Sequence, residues 1–232
     1  MAELISNTAS KTLTTIYFGL TLILIIAEIL RNTTMLLIFK PLLIPALMVL
    51  YFVTSEARNR YYFFALFFGL CSNIFFLSTT QQFLLYGIVA FMFYRILTII
   101  LVLKLIRKIP LLPFAIACIP FTFIFSCLIN LTMNSLSTSF YPAIANGILI
   151  SILSGIALSN YMLDDNRTNS WLAISTLLAV VLVYLFMIQK YYFPNEVFQP
   201  ISALIFACTH YAFYKFVISS EKDKPEETIT QL

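Results

Sequence analysis

Charge is what this chain has least of. Only 10% of its 232 residues are Asp, Glu, Lys or Arg, where a soluble domain carries about 25%. An ordinary water-soluble domain is excluded on that ground. Histidine occurs once, at His210, so a zinc site built on paired histidines is not available. The four cysteines, Cys71, Cys118, Cys127 and Cys208, all lie in apolar runs and make no CxxC pair. Neither a zinc framework nor a disulfide framework is expected of them. They read as small residues buried in helices. The net charge of +4 is spread over short loops, which excludes a nucleic-acid surface. No long-period repeat, second domain, metal motif or cofactor motif is present.

What remains is apolar. The chain is 61% hydrophobic, with a mean hydropathy of +0.94. An all-α membrane protein follows, a bundle of eight transmembrane helices. The expected spans are Thr12–Leu30, Met35–Val53, Tyr61–Leu77, Phe83–Leu103, Leu111–Ile129, Tyr141–Met162, Trp171–Ile188 and Val197–Ile218. Each approaches the ~20 residues that cross a hydrocarbon core of about 30 Å. Residues 1–218 form one helical domain, and 219–232 a charged, disordered cytoplasmic tail. Pro41 is expected to mark the start of regular helix in the second span, and Pro113 and Pro120 to kink the fifth. The stretch NLTMNSLSTS reads as a polar loop. Lys and Arg fall ten to three across the membrane. Arg31, Lys40 and Lys190 make up the minority side, so both termini are expected in the cytoplasm.

Polar residues inside the spans are candidates for function, because the bilayer gives them no partner. Arg95 sits near the middle of the fourth span, and it is expected to point into the bundle. Glu28 is the only carboxylate within any span, and so the only deep anionic partner for Arg95. Lys40 is either a snorkelling interfacial lysine, a headgroup cation, or the partner of Glu28. Asn73, Asn146 and Tyr184 fall in the half away from the cytoplasm, with His210 nearer the middle. Together these residues are expected to line one polar pocket. In the sixth span Ala143, Gly147, Ser151, Gly155 and Ser159 recur every four residues. Such a stripe admits another helix closely, either inside the bundle or at a homodimer seam through Gly147, Ser151 and Gly155.

Three segments carry a family resemblance: KPL at Lys40–Leu42, ALFFGLCSNIFFL in the third span, and GIVAFMFYRILTI in the fourth. With the eight-span layout, they resemble the YhhN family of lysoplasmalogenase-like membrane proteins. The resemblance implies hydrolysis of the vinyl ether of a lysoplasmalogen, a membrane lipid as substrate, and a bacterial inner-membrane location. Ser72-Asn73 stands where that family usually has Gly-Asp, and Arg95 where it often has His. The Ser-Asp pair usual in the seventh span is not evident around Val183-Tyr184. Glu28, His210 and Asn73 are then the catalytic candidates, and Lys40, Arg95, Asn146 and Tyr184 the substrate-binding ones. Enol-ether hydrolysis needs an acid and a base or oriented water. Asparagine is no acid, and Arg95 stays protonated. A non-catalytic lipid-binding protein and a small transporter remain alternatives. Reporter fusions after Lys108 and after Ser137 are expected to lie on opposite faces of the membrane. Finding both on one face would overturn the topology.

Overall fold

The computed structural model describes residues 2–78, 80–106 and 109–223. Arg107 and Lys108 of the basic cluster, and the tail from residue 224, lie outside the described residues. Among the described residues eight α-helices follow in order: α1 (Ala2–Ile29), α2 (Thr33–Thr54), α3 (Arg60–Phe75), α4 (Gln81–Leu105), α5 (Leu111–Leu136), α6 (Phe140–Leu163), α7 (Arg167–Met187) and α8 (Phe198–Lys222). A 3₁₀ turn (Ser137–Ser139) precedes α6, and a π-helical turn (Ile188–Tyr192) follows α7. All but α3 are long and apolar enough to cross a membrane. The 16 residues of α3 reach about 24 Å, short of the hydrocarbon thickness of about 30 Å.

Local chemistry sets the helix starts. Asparagines cap three of them. The Oδ1 atoms of Asn32, Asn59 and Asn166 accept from the N–H groups of Met35, Tyr61 and Asn169 at 3.1, 2.9 and 2.7 Å. Each satisfies one of the donors that a helix start leaves open. Arg31 and Arg58 adopt φ of 53° and 43°. These left-handed residues turn the chain sharply between α1 and α2 and between α2 and α3.

The helices close into a ring. Packed neighbours run α1–α2–α3–α4–α6–α7–α8 and back to α1, with α8 also touching α2 and α4. Helix α5 stands outside the ring against α6 and the π turn. A core of Tyr17, Leu47, Tyr62, Leu101, Phe213 and Phe216, among others, fills the ring. Large apolar side chains such as Leu22, Phe64, Phe123 and Ile148 face outward. That arrangement suits acyl chains rather than water.

Four boundaries differ from the sequence expectation. Helix α2 starts at Thr33 and carries Pro41 and Pro45 inside it, because the Asn32 cap opens the helix upstream of both prolines. Helix α5 runs on to Leu136, taking in most of the expected polar loop. Its uncharged polar residues are compatible with a helix, and Thr132 Oγ1 donates back to the Leu128 carbonyl at 2.9 Å. Helix α1 extends back to Ala2, well before Thr12. Helix α8 extends through residues 219–222 of the expected tail. There Glu221 accepts from Tyr51 Oη at 2.6 Å and Ser55 Oγ at 2.7 Å, which ties the end of α8 to the end of α2. The cysteines expected to be buried are not fully so: Cys71, Cys118 and Cys208 are half-buried, and Cys127 is exposed because α5 lies on the outside.

The small-residue stripe of α6 is buried, and α5 occupies it. A Cβ on Gly147 would strike the Phe125 ring, and one on Gly155 would strike Cys118 Sγ, with the Cys118 backbone nitrogen 3.3 Å away. Cys118 Sγ also donates to the Ser151 carbonyl at 3.7 Å. The homodimer seam expected through Gly147, Ser151 and Gly155 is therefore replaced by a contact within the chain, since the surface is already covered. Gly155→Leu is expected to destabilise by about 1–3 kcal/mol or more, the range for overpacking a close contact. Ile148→Ala, on the outward face, should change the melting temperature of the purified protein much less. Equal effects would contradict the close approach of α5.

Candidate functional site

The tight α1–α2 turn brings the last turn of α1 beside the start of α2. Glu28 and Lys40 meet there, Nζ to Oε1 at 3.5 Å. Glu28 is buried, while the Lys40 side chain keeps 32% of its surface exposed. From α3, Asn73 Nδ2 donates to the Lys40 carbonyl at 2.9 Å. Next to it, Ser72 Oγ donates to the Gly87 carbonyl at 2.9 Å. That bond pins α3 to α4, with the Phe76 ring packed where a Gly87 side chain would otherwise stand. From α6, Asn146 Nδ2 donates to the carbonyls of Ile88 and Pro142 at 3.0 and 3.2 Å, and its buried Oδ1 has no partner among the described residues.

These groups line one cavity of about 770 Å³. It lies at the end of the bundle where α1, α3 and α7 finish and α2, α4 and α8 begin. Glu28, Lys40, Ser72, Asn73 and Asn146 contribute polar atoms. Leu24, Leu84, Ile88, Phe91, Ala203 and Phe206 give apolar wall. The π turn and the segment after it supply Gln189, Lys190, Tyr191, Asn195 and Glu196. A single π turn offsets the side chains of a helix end from α-helical register, and here it brings three consecutive residues to the cavity. Arg31 forms an ion pair with Glu196, linking this segment to the α1–α2 turn.

Arg95 and His210 lie one layer deeper, off the cavity wall. Arg95 is 2% exposed. Its guanidinium stacks over Phe91 at 4.9 Å and lies 5.8 Å from the Tyr94 ring, and its Nε has no hydrogen-bond partner among the described residues. Tyr94 Oη stands 3.4 Å from His210 Nδ1, and Phe206 packs edge-on against the His210 ring. Phe91 and Phe206 thus separate this layer from the cavity.

Of the sequence-named site residues, Glu28, Lys40, Asn73 and Asn146 share the cavity. Arg95 and His210 do not line it: they lie behind Phe91 and Phe206, so the single pocket expected of all these residues is not formed. The expected Arg95–Glu28 pair does not form, because Lys40 reaches Glu28 from the adjoining helix. Tyr184 is turned away, into a separate shallow hollow with Phe121, Ile150 and Val180 on the α5 side. Sequence reading missed Lys190, Tyr191 and Gln199. The signal available for Lys190 was its place among three cations on the otherwise cation-poor side.

The ring of apolar helices, lipid-facing exterior and polar cavity define a multi-pass helical membrane protein. A family model described as the YhhN family matches residues 35–220, and the chain belongs to that family. No curated protein and no solved structure matches it.

Removing one partner of the Glu28–Lys40 pair has an asymmetric effect. Lys40→Met leaves a buried carboxylate unpaired and should destabilise by about 2 kcal/mol or more. Glu28→Gln leaves a lysine that is partly solvated, so it should cost less. The double variant should recover part of the Lys40→Met loss. Thermal unfolding in detergent measures all three. A Glu28→Gln loss larger than that of Lys40→Met would contradict the burial asymmetry.

Proposed function

We propose that this chain takes a single-chain phospholipid into the cavity and, as a lysoplasmalogenase-like enzyme, hydrolyses the vinyl ether of a lysoplasmalogen. One observation carries the reading. The cavity joins an apolar depth to a polar end, and Glu28, the one buried carboxylate among the described residues, is on its wall. Its volume falls within the ~300–1,000 Å³ of small-molecule sites.

The reaction protonates the enol-ether carbon, adds water to the resulting oxocarbenium, and collapses the hemiacetal to an aldehyde and the glycerophospho alcohol. Glu28 serves as the proton-transfer group, and Lys40 holds it in place. Asn73 and Asn146 offer amide groups that orient the lipid or the water. Arg95 and His210 support the floor through Phe91 and Phe206. In this reading α3 completes an eighth crossing, the termini are cytoplasmic, the membrane is the bacterial inner one, and the cavity faces away from the cytoplasm.

A second reading, lipid binding without turnover, is favoured by Asn73, an amide where the family resemblance leads one to expect an acid. Purification from native membrane, lipid identification by mass spectrometry, and an aldehyde assay with added lysoplasmalogen separate the two. The expected result is a bound single-chain phospholipid and aldehyde release. Glu28→Gln should lower release about 100-fold or more with lipid still bound. Asn73→Asp should raise release, because it restores the carboxyl that the family resemblance leads one to expect at that position. Bound lipid with no aldehyde from either protein supports binding alone. No bound lipid and no aldehyde would overturn both.

A further inference from the structure

Five charged residues belong to the end of the bundle that carries the cavity: Glu28, Arg31, Lys40, Lys190 and Glu196. The connections from α3 to α4 and from α5 to α6 add none. All five converge on one place. Glu28, Lys40, Lys190 and Glu196 line the cavity, and Arg31 reaches it through Glu196. Two ion pairs account for four of them, Lys40 with Glu28 and Arg31 with Glu196. Lys190 is left over. It is exposed on the cavity lining, and its ammonium has no ion pair or hydrogen bond among the described residues. The lining is thus neutralised everywhere except at one cation.

We propose that Lys190 selects the headgroup of the ligand, its ammonium taking the phosphate of a single-chain phospholipid. This rests on the reading of the cavity as a lipid site. The π turn presents the ammonium at the polar end of the cavity, and the phosphate binds there. The acyl or alkenyl chain then lies toward Phe91 and Phe206. Lys40 stays with Glu28 and is not the phosphate ligand, because taking Lys40 away would strand a buried carboxylate. A lone cation matched to a phosphate contributes specificity more than bulk affinity. An uncharged lipid of the same chain fills the same apolar wall but leaves Lys190 unanswered.

The test compares two lipids on the full chain in nanodiscs. One is a lysophosphatidyl lipid and the other a monoacylglycerol of equal chain length, each measured by displacement of a fluorescent lipid. Wild type should prefer the phospholipid about fivefold, the scale of an exposed charge contact. Lys190→Gln should bring the two affinities together by weakening the phospholipid alone. Lys190→Arg should keep the preference, and this arm also controls for folding. Inorganic phosphate at the same concentration should not displace the probe, which distinguishes a lipid headgroup from free phosphate. Displacement by inorganic phosphate alone would overturn the lipid assignment. An unchanged ratio in Lys190→Gln would overturn the role of Lys190 while leaving the lipid site standing. If wild type binds neither lipid, the reading of the cavity as a lipid site fails first.

Discussion

The Glu28–Lys40 pair is the interaction on which the candidate site depends. A lone carboxylate in a bilayer span is expensive to bury, and Lys40 offsets that cost from the next helix. The pair forms because the chain turns through Arg31 in a left-handed conformation and restarts at the Asn32 cap. That places the end of α1 against the start of α2. Asn73 then bonds to the carbonyl of Lys40 itself, so α3 docks on the backbone of the same residue. One short turn thus fixes three helices around one end of the cavity.

The same constraint shapes the floor. Among the described residues Arg95 makes no ion pair, and two aromatic faces take that place. Such contacts strengthen when desolvated. The result is a cation shielded from the cavity by the ring that stabilises it. His210 is treated alike, between Phe206 and the Tyr94 hydroxyl. Elsewhere buried polar side chains such as Ser72, Asn73 and Thr98 donate to backbone carbonyls. On the cavity wall, Asn146 Oδ1 has no partner among the described residues and is left for a ligand.

The helices themselves were legible in the sequence because a run of some twenty apolar residues suits a bilayer span and little else. The depth of Glu28, Lys40, Asn73 and Asn146 was legible too, since counting along a helix gives height. Azimuth was not. Tyr184 stands at a suitable height but on the α5 side, and Arg95 points inward yet meets rings, not Glu28. Which helix lies beside which decides such matters, and no local pattern encodes it. The stripe on α6 announced a close neighbour without saying that the neighbour was α5. The π turn left no recognisable trace, so Lys190 appeared only as part of a charge count. The ends of α5 and α8 escaped because uncharged or mixed polar residues continue a helix as readily as they end one.

Helix α5 is outside the ring, yet Phe125 reaches the cavity through the space that Gly147 leaves in α6. Phe125 and Val183 line both the cavity and the shallow hollow that holds Tyr184. These two side chains therefore stand between the cavity and the hollow. Side chains turn about their own bonds far faster than packed helices part. A sideways passage from the hollow into the cavity would be governed by rotation at these two residues, and the ring of helices could stay shut throughout.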